Sequence, residues 1–211
     1  KAAMDVSGDG KTKVELDGQN VLDSYGTDYP ASYQAGLRKQ GEGTLIITDE
    51  TNDEGKKITT PKSESDTSGS LTAKGAGGNG AAGIGGNVAE GTKNIIIEGY
   101  ATVHAAGGDW GAGIGGGMYG KGEVTISGGD VTAHGGHTAA GIGGGFRGSG
   151  DVTILGGTVT AIPAEGSNSN VTGIGGGFGC DEKSTVRILG GVVDAVGNGC
   201  GSGIGGGEGD V

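Results

Sequence analysis

Gly141-Ile142-Gly143-Gly144-Gly145 decides the fold, because it is not alone. The same five letters stand at Gly113–Gly117, Gly173–Gly177 and Gly203–Gly207, and a shorter copy stands at Gly83–Gly86. The central isoleucines, Ile84, Ile114, Ile142, Ile174 and Ile204, are 30, 28, 32 and 30 residues apart. A period of that size marks stacked units.

Between the glycine runs the repeat holds two alternating segments. Val124 and Ile126 alternate with Glu123, Thr125 and Ser127. Gly128-Gly129 and Val131-Thr132-Ala133 follow. Period-two alternation predicts a strand with one buried face, and a glycine pair permits a tight corner. The pattern returns at Val152, Ile154 and Val159, and again at Val186, Ile188 and Val193. An earlier copy holds Ile95, Ile97 and Val103. Val14, Leu16, Gly18 and Val21 have the spacing of Val124, Ile126, Gly128 and Val131, and a degenerate copy starts at Leu45 and Ile47. The count is six turns, with irregular first turns of the kind that cap a stack.

The predicted fold is therefore all-β, a single-stranded parallel β-helix (β-solenoid) of about six turns. One domain spans residues 1–211, with irregular turns over 13–84, a polar inserted loop over 49–70 and regular repeats over 85–211. Propeller blades need four strands in roughly 40–50 residues, more than this period offers. Stacked at about 4.8 Å per strand, six turns stand roughly 29 Å tall.

The register predicts files of residues. One inner file is Leu16, Ile47, Ile97, Ile126, Ile154 and Ile188; a second is Leu37, Ile84, Ile114, Ile142, Ile174 and Ile204. A third, Val88, Met118, Phe146 and Phe178, reads as core or corner packing. Leu22, Thr72, His104, Thr132, Thr160 and Asp194 form one outer file, and Ile46, Ile96, Thr125, Thr153 and Arg187 another.

Composition sets the outer bounds. Glycine supplies 55 of 211 residues, but there is no Gly-X-Y period and only 3 prolines, which excludes collagen. Recurrent Val, Ile and Thr argue against disorder. The net charge is −11, which disfavours nucleic acid and anionic membrane as partners. No apolar run is long enough to span a bilayer. The opening Lys1-Ala2-Ala3 and the closing Gly209-Asp210-Val211 read as a piece of a longer protein that carries any export signal elsewhere.

The run Gly111-Ala-Gly-Ile-Gly-Gly-Gly, with its Val-Thr-Ile-x-Gly-Gly-x-Val-Thr-Ala partner, resembles the glycine-rich repeats of large surface proteins of Gram-positive gut bacteria. The opening Val14-Glu-Leu-Asp-Gly-Gln-Asn-Val-Leu is similar to the start of such modules, which are carbohydrate-binding-domain-containing and β-helical. The resemblance implies an exported, wall-attached or secreted protein. It carries over no catalytic residue.

Chemistry concentrates at the histidines. Asp109 and His137 each stand five residues before a repeat isoleucine, so they should be neighbours on adjacent turns. His104 and His134 lie on the same two turns, and Trp110 adjoins Asp109. Imidazole and carboxylate together suit a transition metal or a proton relay, and indole suits a sugar face. The competing reading is five ordinary residues on a solvated wall. Asp181, Glu182, Lys183, Arg187 and Asp194 are the one set that could converge as in a calcium-dependent lyase, though charges at a turn are usually only surface. Cys180 and Cys200 lie in loops entering and closing the last turn, and a disulfide between them is expected over two buried thiols.

The expected function is a non-catalytic surface or adhesin module binding a polysaccharide, a host glycan or a partner protein, with no cofactor beyond an optional calcium ion. A polysaccharide-degrading enzyme and a structural stalk are the alternatives. An ice-binding face is a further one, weakened by His104 and Asp194 in the threonine file.

Overall fold

The computed structural model describes residues 2–24, 33–51, 57–58, 69–78, 80–164 and 170–207. They form an all-β coil in which every pairing between named strands is parallel. Three sheets run along it. Sheet A has 7 strands, from Met4–Ser7 and Leu37–Gln40 through the two-residue strands Ile84–Gly85, Ile114–Gly115, Ile142–Gly143, Ile174–Gly175 and Ile204–Gly205. Sheet B has 6, typified by Gly122–Ile126 and Gly150–Ile154, and sheet C has 6, typified by Asp130–His134 and Thr158–Ile162. Each rung passes from B to C to A. The repeat thus has three strands where alternation alone shows two, because Ile-Gly is too short to alternate.

The glycine after each isoleucine has a steric cause. Gly115 has φ +134, and a Cβ there would lie within 3.0 Å of the Gly143 carbonyl oxygen one rung on. Gly143 stands in the same relation to Gly175. Only an absent side chain lets the rungs close to hydrogen-bonding distance, as in Gly116 N–H to Gly143 O at 2.9 Å.

The core is the sum of the inner files. Ile84, Ile114, Ile142 and Ile174 are in register and fully buried, with Leu37 below them. Ile204 ends the file at 43% exposure, on the rung with no neighbour above it among the described residues. Ile47, Ile97, Ile126 and Ile154 form the second buried file.

The first rung departs from expectation. Val14, not Leu16, pairs with Ile47, and Val21, not Leu22, joins the outward file of Thr72 and His104. The B-to-C corner is longer by one residue at this end. Six positions separate Val14 from Asn20, against five between Ile126 and the equivalent Val131. Leu16 fills that corner, at 2% exposure. Val21 is 68% exposed and Leu22 turns inward, in line with Ala73 and Ala105. Ile46 keeps its outward register beside Lys13 and Ile96 yet is covered.

Most of the expected loop over 49–70 lies outside the described residues, as do residues 209–211. At the loop's base the Glu15 carboxylate accepts the N–H groups of Glu50 and Thr51.

Candidate functional site

The corner between sheets A and B is a β-turn repeated in each rung. Glu90, Gly120 and Gly148 N–H groups donate to the carbonyls of Asn87, Gly117 and Gly145. The third residue of each turn has positive φ: Ala89 at 60°, Tyr119 at 64°, Arg147 at 58° and Gly179 at 70°. Glycine is favoured at such a position. Three successive rungs put a residue with a Cβ there, at a cost of order 1 kcal/mol or more each. Those N–H groups then bond rung to rung: Ala89 to Met118 O, Tyr119 to Phe146 O, and Arg147 to Phe178 O.

The corner gathers aromatic side chains. Val88, Met118, Phe146 and Phe178 are half-buried there. The Phe146 and Phe178 rings stack at 6.3 Å and 17°. Tyr119, 52% exposed, tilts against Phe146 at 5.9 Å, and the Arg147 guanidinium sits 5.4 Å from the Phe146 centroid. Trp110 joins from the neighbouring loop, where its carbonyl accepts the Phe146 N–H at 2.9 Å. Tyr119 and both of the chain's phenylalanines therefore share a ridge along the coil, and the Trp110 backbone adjoins it. The file was legible in the sequence; Tyr119 and Arg147 were not, because nothing in their spelling shows a positive φ.

Asp109 and His137 are neighbours, with His137 Nδ1 3.4 Å from Asp109 Oδ1. They lie beside Trp110, so three of the five expected site residues flank the ridge. His104 and His134 stay on the outward face of sheet C, beyond the glycine pairs Gly107-Gly108 and Gly135-Gly136. They are staggered: His104 pairs with Thr132 and His134 with Ala106. Among the described residues no three His, Cys, Asp or Glu side chains are grouped to hold a metal ion.

The last-turn charges do not converge. Arg187 lies on sheet B beside Thr153 and Asp194 on sheet C beside Thr160, while Glu182 accepts the Ser149 hydroxyl at 3.1 Å.

The expected disulfide is not formed; Cys180 and Cys200 are both free. The Cys180 thiol donates to Glu182 O at 3.0 Å. In the corner carrying Cys180, Phe178 N–H donates to Thr138 O on the preceding rung. Cys200 N–H donates to Asn170 Oδ1. Thr138, Asn170 and Cys200 each precede by four residues the paired Ile142, Ile174 and Ile204.

A family model described as Beta helix repeat matches residues 95–118, 124–146 and 186–208. These stretches are β-helix repeats, in keeping with the parallel coil. Each matched stretch begins on a sheet B strand, and the first two end at the ridge residues Met118 and Phe146. No curated protein and no solved structure matches the chain.

Proposed function

We propose that this β-helix is a non-catalytic binding module that holds an extended polysaccharide along its aromatic ridge, at a cell surface or outside the cell. The observation that carries the reading is the ridge itself. Tyr119, Phe146 and Phe178 are spread over successive rungs of one corner, Trp110 lies in the loop whose backbone meets that corner, and Trp110 and Tyr119 stand well exposed. Apolar faces repeated along a line suit a polymer of rings rather than a single small molecule. The positive φ at Tyr119 and Arg147 points the same way, since strain kept where glycine would relieve it favours a role for the side chain. Asp109 and His137 beside Trp110 supply hydrogen-bonding groups for sugar hydroxyls.

The degrading-enzyme alternative has less support, because Arg187 and Asp194 belong to different sheets. A protein partner would use the same ridge. Pull-down on a polysaccharide panel, with and without calcium, tests the reading. Retention by at least one neutral polysaccharide that Trp110→Ala and Tyr119→Ala each weaken is the expected outcome. Equal retention of wild type and both variants would remove the ridge from the site. Release of unsaturated oligosaccharides, seen by ultraviolet absorbance, would establish a lyase instead.

A further inference from the structure

A cleft of about 280 Å³ opens on the sheet B side of the same corner, lined by Glu42, Thr92, Lys93, Lys121 and Glu123 with Gly41 and Gly91. A shallower one of about 400 Å³ continues it across Thr125, Asp151, Thr153 and Thr185, and Glu123 lines both. Lys121 is two residues beyond Tyr119, so cleft and ridge run side by side.

A bulge builds the cleft. Strand Thr92–Gly99 carries one residue more than its neighbour between the pairs Thr92–Gly122 and Ile95–Val124. Asn94 absorbs it with φ 55°. An inserted residue bends its strand and re-aims side chains. Here Lys93 swings onto Glu42, at 3.0 and 2.9 Å from its two carboxylate oxygens, and Asn94 Nδ2 donates to Glu42 O at 3.0 Å. That contact fixes one wall.

Lys121 is paired with Asp151 on the other wall. Asp151 holds the lysine above its usual pKa against the effect of burial, and Glu123 and Glu182 add to the pull. The two lysines of this region are thus matched to two carboxylates. The Glu123 side chain acts on Lys121 only through the field between them and forms no hydrogen bond or ion pair among the described residues. With the two pairs cancelling, it is left between them as the one carboxylate that neither lysine bonds directly, open to an incoming cation.

We propose that this cleft takes a protonated primary amine, so that the polysaccharide on the ridge is one containing amino-sugar units with free amines. The inference rests on the ridge reading, which supplies the polymer; Glu123 supplies the discrimination. Sugar rings stack on the ridge while an ammonium group reaches Glu123 and the Thr125 and Thr153 hydroxyls beside it.

Titration calorimetry with glucosamine oligomers and their N-acetylated counterparts, below the amine pKa, tests this. The free-amine oligomer should bind about three- to tenfold more tightly, and added salt should shrink the difference. Glu123→Gln, with an unchanged melting temperature, should abolish the preference. Glu98→Gln removes the same charge from the far end of that strand's neighbour and should leave the preference intact. Trp110→Ala should weaken both oligomers alike. Equal affinity for the two oligomers in wild type, or a preference that survives Glu123→Gln, overturns the proposal while leaving the ridge in place. Binding of neither oligomer, and of no polysaccharide on the panel, overturns both.

Discussion

Replacing Gly115 by alanine should damage the β-helix far more than its one methyl group suggests. Gly115 has φ +134, and an added Cβ would enter the space of the Gly143 carbonyl. Relief requires the two rungs to part. That would loosen Gly116 N–H to Gly143 O at 2.9 Å and Ile114 N–H to Gly141 O at 3.0 Å. Two such bonds contribute about 1 kcal/mol each, and an L-residue held at that φ costs about 1 kcal/mol more. The total is about 3 kcal/mol. For a chain of this size that lowers the melting temperature by roughly 6–12 °C. Gly77 is the control: a Cβ there meets nothing within 4 Å and φ is not positive, so Gly77→Ala should melt within about 2 °C of wild type. Circular dichroism melts give the comparison. Hydrogen exchange should then place the loss on the rungs of Ile114 and Ile142. A Gly115→Ala variant as stable as Gly77→Ala would refute the reasoning that backbone approach, and not composition alone, requires glycine there.

Ile142→Asp buries a carboxylate in a fully closed file and should cost more than about 4 kcal/mol, whereas Ile204→Asp, at 43% exposure, should cost well under half as much; chemical denaturation compares them. Trp110→Ala should leave the melt unchanged and reduce polysaccharide affinity about five- to tenfold, read by calorimetry. Burial alone would raise the Glu90 pKa, but Arg38 and the Asn87 N–H outweigh it and hold the carboxylate below its ordinary 4.5. Its contribution to stability is therefore present above that value and lost as pH falls through the folded pKa. Wild type should melt above Glu90→Gln at pH 7, and the gap should close as the pH falls below 4.5. Both cysteines should react with a thiol reagent under non-reducing conditions, and a Cys180→Ser, Cys200→Ser double variant should keep the wild-type melting temperature.

Much of the architecture was readable because the coil converts sequence period directly into contact. Equal spacing of Ile114, Ile142 and Ile174 forces them over one another once the rungs run parallel, and the structure pairs them so. The same arithmetic put Asp109 against His137. It failed where rung length changed. One added residue at the first B-to-C corner shifted Val14 and Val21 into places assigned to Leu16 and Leu22, and alternation has no means of detecting it. His104 and His134 share rungs with Asp109 and His137 but not a face, because a glycine pair stands between strand and loop. The ridge was legible as a file, while its outward half, Tyr119 and Arg147, depended on a backbone angle.

Pulsed electron resonance on nitroxide pairs tests the stacking most directly. In a background without cysteine, one label goes at Val21 and the other at Thr132, Thr160 or Asp194, all in one outward file of sheet C. The separations should be about 14, 19 and 24 Å, rising by one strand spacing at each step. Separations that do not rise in even steps, or that fall on moving from Thr132 to Asp194, would contradict a coil of parallel rungs in register.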